Sequence, residues 1–371
     1  MSIPTSMKAV VIEGVNAVVK ENVPLPPLKE GQVLVKTLAA AVNPTDWKHI
    51  EYKLGPQSSI SGCDAAGQVV KLGANVKNVA EGDVVAGFAH GASVKHPENG
   101  AFAEYVAIDS ELLWKLQSSS DSRVLSGKQE LPSGPVSNIE GLVTFPISLN
   151  TAGVVLVNNL KIDLSWKSSK PQRDEPVIVW GGATAFGQCF IQLAKQLNAF
   201  SKIITVASRK HEPSLKKYGA DQLFDYHDSD VVEQIKKEYP EAPVVVDGVS
   251  SPETYPQIYK VTADTKPSVI INLIYLDDKN VEKPKSNVRH ESTMLYLMTG
   301  FDIPYGSLHL PKDLEYRKKA IEFIKWVQPK IDAGDIYHLP VKISNGLESI
   351  PKLLDDVRTG KNSGVKLVAV L

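Results

Sequence analysis

The sequence predicts an α/β protein of two domains, one β-rich and barrel-like, the other built on a parallel sheet. Three observations carry this. The chain has 371 residues, which at roughly 150 residues per domain allows about two domains and a substantial core. Its first third consists of short apolar or alternating runs separated by Gly, Pro and Asn, the pattern of half-buried strands joined by turns. Further on, apolar strand runs alternate with segments of helical period, which implies right-handed βαβ units.

Taken in order, residues 8–13, 17–21, 32–41, 66–72, 83–88 and 101–108 are expected strands. From 118 to 146, serine clusters with Pro132, Pro135 and Pro146 break the pattern, so a long surface connection is expected there as a domain junction. Residues 176–180 read as a buried strand. Residues 183–198 read as a helix, with Phe186, Phe190, Leu193 and Leu197 at helical spacing. A strand at 202–207, helices at 212–218 and 231–238, and strands at 244–247 and 268–275 continue the alternation. A long helix is expected over 314–333, with Ala320, Ile324, Val327 and Ile331 on one face, before short strands and turns over 337–371. These last segments are expected to rejoin the first domain, giving a barrel-like domain of 1–150 and 335–371 and a parallel-sheet domain of 151–334.

Composition removes several function classes. Hydrophobic residues at 43% and charged residues at 22%, with 25 Gly and 24 Pro, are ordinary for a globular chain. The 41 Lys plus Arg against 42 Asp plus Glu leave a net charge of −1, so no bulk field attracts nucleic acid or an anionic membrane. Only Cys63 and Cys189 occur, too few for a disulfide framework, which fits a reducing compartment. No signal core, transit arginines, retention or lipidation motif is recognised at either end, so a cytoplasmic location is expected. Two charge-free stretches, 142–160 and 177–194, reach membrane-span length. Pro146, Asn150, Asn158 and Asn159 interrupt the first, and Gly181-Gly182, Gln188 and Gln192 the second, so both are read as buried soluble elements.

The strongest local signal is Val177-Ile178-Val179-Trp180-Gly181-Gly182-Ala183-Thr184-Ala185-Phe186-Gly187, a strand entering a turn of small residues that opens a helix. Small residues let backbone approach a pyrophosphate, and the helix N-terminus offers N–H groups and partial positive charge. Against G-x-G-x-x-G, Gly182 and Gly187 match while Thr184 replaces the middle glycine. Thr184 is expected to offer its hydroxyl to a phosphate. The bland alternative is a helix–strand contact that needs small residues. About 20 residues on, where NAD sites carry Asp or Glu for the ribose, stand Ser208-Arg209-Lys210-His211. Cationic groups without an acid favour a 2′-phosphate, so NADP(H) is preferred and NAD(H) stays allowed. A solvated charged turn is the competing reading. Tyr226 is a candidate to pack on the adenine.

These residues resemble the medium-chain dehydrogenase/reductase superfamily, in particular its zinc-free quinone-oxidoreductase and fungal trans-acting enoyl-reductase branch, with yeast aldehyde-reductase-like members the most similar. The markers run in family order: Met7-Lys8-Ala9-Val10-Val11, Asn43-Pro44-Thr45-Asp46-Trp47-Lys48, Gly62-Cys63-Asp64-Ala65-Ala66-Gly67, Gly82-Asp83-Val84-Val85, Gly100-Ala101-Phe102-Ala103-Glu104-Tyr105, Thr151-Ala152-Gly153, the turn above, and Gly360-Lys361-Asn362-Ser363-Gly364. The resemblance implies a GroES-like β-barrel catalytic domain made from both chain ends, a Rossmann domain with a doubly wound parallel sheet between them, and an active site in the cleft. It further implies that Asn43, Asp46, Lys48, His49, Gly182, Ala183, Thr184, Ala185, Phe186, Ser208, Arg209, Lys210, His211, Tyr226, Asn362 and Ser363 line the cofactor.

Zinc members of that superfamily carry Cys where Asn43-Pro44-Thr45-Asp46 stands and Gly-His-Glu where Gly62-Cys63-Asp64 stands. A catalytic zinc needs three protein ligands, and that set is not assembled. The histidines (His49, His90, His96, His211, His227, His290, His309 and His338) show no metal-binding spacing. No zinc is therefore expected, with Cys63 a small buried hydrophobe and Cys189 a helix core residue. Hydride transfer from NADPH to an aldehyde, or to the β-carbon of an enal, enone or quinone, then suits the few catalytic groups available. Lys48, Tyr52 and Thr151 are candidates to polarise the carbonyl and relay a proton, while Asn43 and Asp46 also serve to fix their loop. Tyr52, Phe145, Ile274, Tyr275, Tyr296 and Met298 are candidate substrate walls, with ordinary core as the other reading. Two alternatives stay open: a trans-acting enoyl reductase of a polyketide pathway, and a non-enzymatic NADPH-binding protein. The expected partner is a small molecule, and the chain a monomer or homodimer.

Overall fold

The computed structural model describes residues 3–117 and 129–371. The serine cluster at 118–120, part of the expected connection, lies outside the described residues. The chain divides into two compact units, residues 1–150 with 296–371, and residues 151–295. The return to the first unit thus comes at 296, not at the expected 335. The physical reason is the long helix, whose apolar face belongs to the first unit's core.

The first unit begins with strands β1 (Ser6–Glu13), β2 (Asn16–Pro24) and β3 (Gln32–Ala41), followed by helix α1 (Pro44–Glu51), which the strand-rich pattern hid. Strands β4 (Asp64–Leu72), β5 (Val84–Phe88), β6 (Tyr105–Asp109), β7 (Leu113–Lys115) and β8 (Glu130–Leu131) and helix α2 (Ile139–Leu142) complete its N-terminal part, and helix α3 (Ser148–Val154) runs past its last residue, 150.

The second unit runs β9 (Val177–Trp180), α4 (Ala185–Gln196), β10 (Ile203–Val206), α5 (Glu212–Tyr218), β11 (Gln222–Phe224), α6 (Val231–Glu238), β12 (Val244–Asp247), α7 (Tyr255–Lys260), β13 (Ser268–Asn272) and β14 (Val288–Ser292). Its sheet has the order β11-β10-β9-β12-β13-β14 and every pairing is parallel. Numbered from β9, this is the doubly wound order 3-2-1-4-5-6, with the reversal between β9 and β12. Wholly buried runs such as Val177–Trp180 and Val244–Asp247 fit strands covered on both faces. Strand β13 stops earlier than expected because Asn272 Oδ1 accepts the N–H groups of Ile274 (3.2 Å) and Leu276 (2.9 Å), while Tyr275 takes a φ of 64°.

Back in the first unit, hairpin β15 (Ile303–Tyr305) and β16 (Leu308–Leu310) precedes α8 (Leu314–Asp332), β17 (Val341–Asn345), α9 (Ile350–Arg358) and β18 (Lys366–Val370). Helix α8 buries Ala320, Phe323, Ile324, Val327 and Ile331, and Phe323 meets Trp114 edge-on at 6.3 Å. Helix α9 was expected as strand and turn, yet Ile350, Leu353, Leu354 and Val357 recur at helical spacing and pack with Val10, Ile12 and Phe102. Each such buried side chain is worth about 1.5–3 kcal/mol.

Strand β3 organises the curled sheet. Its first half pairs with β6 and its second half with β18, while β4 lies along its other edge. Gly67 in β4 permits the close approach, since a Cβ there would fall 1.9 Å from the Lys36 carbonyl oxygen. The two units thus show the expected fold class, a barrel-like sheet and a doubly wound parallel sheet. Among the described residues no helix is long and apolar enough to cross a membrane.

Candidate functional site

In the second unit, β9 delivers the chain into the small-residue turn and α4 leaves it. Gly181 adopts a φ of +84°, open to glycine at little cost. A Cβ on Gly182 would lie 1.7 Å from Thr205 Oγ1 on β10, and one on Gly187 would lie 2.3 Å from the Gly181 carbonyl oxygen. Both glycines are thus required by close packing, as the bland reading held, and that packing brings backbone to the head of a 12-residue helix. The Thr184 hydroxyl is already engaged: it donates to the Gly181 carbonyl at 2.7 Å and accepts the Gly187 N–H at 3.0 Å. The hydroxyl thus caps α4. Ala183, Ala185 and the largely buried Phe186 line this first turn.

The cationic turn follows β10. Arg209 and Lys210 are exposed, and Ser208 and His211 half-buried. Arg209 Nη2 donates to Asp228 Oδ2 at 3.1 Å, and the Arg209 N–H donates to Asp225 Oδ2 at 2.9 Å. Burial pushes Asp225 up, but N–H bonds from His227 and Arg209 outweigh it and hold the carboxyl at about 2. An acid does stand near this turn, and its oxygens are taken by the Arg209 and His227 donors. Tyr226 is exposed, its ring 4.1 Å from that of His227. Ile274 packs at the edge of the sheet core and Tyr275 is 39% exposed. Thr151 is half-buried on α3.

In the first unit, Asn43 caps α1 and starts a buried polar cluster. Its N–H donates to Asp46 Oδ2 at 2.7 Å, and its Nδ2 donates to Asp64 Oδ2 at 2.8 Å. Lys366 Nζ, on β18, donates to the same Asp64 oxygen at 2.9 Å and to Asn43 Oδ1. The Ile147 N–H donates to Asp64 Oδ1 at 2.8 Å. Burial pushes Asp64 up, and Lys366 and Asn43 pull against it. Asp46 is also buried, and desolvation raises its carboxyl to about 7. These side chains tie α1, β4 and β18 together, which agrees with a loop-fixing part for Asn43 and Asp46. The pairing of Asp64 with Lys366 is not legible in the sequence, because it spans most of the chain.

Lys48 Nζ lies 5.6 Å above the Trp47 ring, whose edge meets exposed Tyr52. His49 is buried, and its Nδ1 donates to the Thr45 carbonyl at 2.7 Å. Asn362 and Ser363 sit in the turn between α9 and β18. Phe145 and Met298 both have zero exposure, and Phe145 packs edge-on against Trp114. Tyr296 is 4% exposed, its hydroxyl 3.2 Å from Cys63 Sγ. Cys63 is thus buried but polar in its contacts. Among the described residues no group of three or more His, Cys, Asp or Glu is arranged to hold a metal ion.

Known proteins with similar sequence or fold can now be set beside this geometry. Residues 29–118 match the alcohol dehydrogenase GroES-like domain and residues 185–305 the zinc-binding dehydrogenase family. An uncharacterized protein of Saccharomyces cerevisiae is 56% identical over 375 residues, covering 100% of this chain and 99% of its own. A trans-enoyl reductase of Alternaria alternata is 31% identical over 366 residues, covering 97% and 98%. The solved quinone oxidoreductase of Pseudomonas syringae pv. Tomato superposes with a TM-score of 0.72 at 17% identity, covering 98% and 100%.

Proposed function

Because the chain belongs to the medium-chain dehydrogenase/reductase superfamily, among its quinone- and enoyl-reductase-like members, and is an oxidoreductase, we propose that it is an NADPH-dependent reductase that works without zinc. Its substrate is an aldehyde or an α,β-unsaturated carbonyl or quinone. The observation that carries this reading is the turn after β9, where glycines forced by packing bring backbone to the head of α4, followed after β10 by a turn with Arg209 and Lys210 and no free acid.

The residues fit a dinucleotide. As at any helix start, the N–H groups of Ala185 and Phe186 have no partner within α4, and with Gly182 and Ala183 they would hold the pyrophosphate. Ser208, Arg209, Lys210 and His211 would bind a 2′-phosphate through charge-assisted hydrogen bonds, and exposed Tyr226 would cover the adenine. A bound nicotinamide supplies the hydride. The chain's part is to orient, exclude water and provide a proton. Lys48 and Thr151 remain candidates for polarising a carbonyl, Tyr52, Ile274 and Tyr275 for the substrate contacts, and His49, Asn362 and Ser363 for the cofactor.

The test is a substrate panel with each cofactor: aldehydes, enals, enones, quinones, and carrier-bound enoyl thioesters. Turnover of free carbonyl compounds with NADPH, together with no zinc by elemental analysis and no loss after chelation, is the expected result. Turnover of carrier-bound thioesters alone would favour the trans-acting reading suggested by the Alternaria relative. Tight NADPH binding without turnover would leave a binding protein.

A further inference from the structure

The turn that ends β13 in the second unit contains a costly backbone conformation. Tyr275 has a φ of 64° and is the only aromatic residue with positive φ among the described residues. A bulky side chain keeps that left-handed conformation only where its surroundings impose it. Tyr275 is 39% exposed, so packing of its own ring into the core does not supply the constraint.

The constraint lies in the polar groups around the turn. Asn272 is wholly buried; its Oδ1 accepts the N–H groups of Ile274 and Leu276, and its Nδ2 donates to the Leu276 carbonyl at 2.9 Å. The Leu273 N–H donates to Ser250 Oγ at 2.8 Å, in the turn after β12, where Ser250 is itself left-handed with a φ of 52°. Beyond the turn stands His290 on β14. Its Nε2 lies 2.7 Å from Asp278 Oδ1, and its Nδ1 lies 2.6 Å from the hydroxyl of Tyr255 on α7. A carboxylate only accepts, so His290 donates from Nε2. The Tyr255 hydroxyl is also 3.4 Å from the Leu276 carbonyl oxygen. The Tyr259 ring lies nearly parallel to the His290 ring, 12° apart in plane, and its hydroxyl accepts the Lys285 N–H at 2.6 Å. The Tyr255 side chain is fully buried and that of His290 is 14% exposed. None of Tyr255, Tyr259, Asp278 and His290 has a part in the reductase scheme.

We propose that His290 is a positioning residue: through Asp278 and Tyr255 it fixes the turn 273–276, so that Tyr275 stays left-handed with its ring held at the carboxyl end of β13. Ligands of open α/β sheets bind outside the carboxyl ends of the strands. This rests on the reductase reading above, in which Tyr275 is a substrate contact. A turn free to relax would let Tyr275 return to an ordinary φ and carry its ring away. Binding would then have to order the segment again, and a turn already fixed avoids that cost.

The test replaces His290 by Phe, which keeps a ring beside Tyr259 and removes both nitrogens, and Tyr255 by Phe, which removes only the hydroxyl. With NADPH and a substrate that the wild type turns over, His290→Phe should raise KM about tenfold and change kcat less than about twofold, as loss of pre-ordering requires. The Kd for NADPH should not change. Tyr255→Phe should move KM the same way by less, because Asp278 still holds His290. Tyr275→Ala should also raise KM, and adding His290→Phe to it should raise KM no further, since the residue acted upon is gone. Additive effects in that pair, or wild-type KM in both His290→Phe and Tyr255→Phe, would overturn the proposal, and so would a lower Tm with KM unchanged. Absence of turnover in the wild type with NADPH bound would instead overturn the reductase reading. Hydrogen exchange tests the fixing of the turn separately: the Leu276 N–H should exchange at least about tenfold faster in His290→Phe and in Tyr255→Phe than in the wild type. Equal rates would overturn the proposal whatever the activity.

Discussion

Lys366 Nζ and Asp64 Oδ2 lie 2.9 Å apart with almost no exposure, one on the last strand of the curled sheet and the other at the start of β4. Removing one partner leaves the other charge buried and uncompensated, which costs about 3–5 kcal/mol. Lys366→Ala should therefore lower the Tm markedly. Lys366→Met combined with Asp64→Leu should recover only part of the loss, because the apolar pair avoids both charge desolvations but leaves Asn43 and the Ile147 N–H without the Asp64 oxygens they donate to. Thermal unfolding of the two variants checks this, and an unchanged Tm in Lys366→Ala would refute it.

Gly182→Ala places a methyl group 1.7 Å from Thr205 Oγ1. Overpacking of this kind costs about 1–3 kcal/mol, and denaturant titration should show it. Adding Thr205→Ala removes the oxygen but leaves the Thr205 Cβ at 2.9 Å, so recovery should be partial.

Arg209 is held by Asp228 at 3.1 Å, so a phosphate must compete with a carboxylate for the same guanidinium. Arg209→Ala should lower kcat/KM for NADPH about tenfold or more, as loss of a charge-assisted contact requires, with little change for NADH. Asp228→Ala should act oppositely and lower the KM for NADPH. Steady-state kinetics with both cofactors decide it. Higher kcat/KM with NADH than with NADPH in the wild type would defeat the cofactor assignment.

Asp46 and His49 give opposite pH dependences. The folded-state carboxyl of Asp46 is raised to about 7 from 3.8, so its contribution is full below the unfolded value and is lost as pH rises to about 7. His49 is lowered to about 4 from 6.5, so its contribution is present above 6.5 and lost as pH falls toward 4. Between those limits the two slopes offset. Asp46→Asn should unmask the histidine slope, its stability rising with pH relative to the wild type. Urea unfolding at pH 5 and pH 8 measures this; an identical pH profile in both proteins would contradict it.

The parallel sheet was legible because its strands are continuous apolar runs and α4 repeats Phe186, Phe190 and Leu193 at helical spacing. Helix α1 was not, since its apolar face is short and the signal lies in the Asn43–Asp46 capping box. Helix α9 was missed for a similar reason, being only 9 residues between two strands. The turn residues at Gly182 and Gly187 were identifiable, yet what demands them, Thr205 and the Gly181 carbonyl, is a tertiary contact. No spacing rule brings His90 to His49 or Lys366 to Asp64, because each pair joins segments that are distant in the chain. Phe145 and Met298 show the reverse limit: an apolar residue looks the same in sequence whether it faces a ligand or the core.

Strand β18 lies between β3 and β17 in the curled sheet, and it leaves the ribosome only after the whole of 151–295 has been made. The inserted unit is continuous in sequence and can reach its native pairing while synthesis proceeds. The curled sheet cannot, since half of β3 waits for its partner. A nascent chain stalled before residue 366 therefore exposes the backbone edge of Ala39–Ala41, a template for intermolecular pairing. Productive assembly thus depends on how quickly the final segment is released.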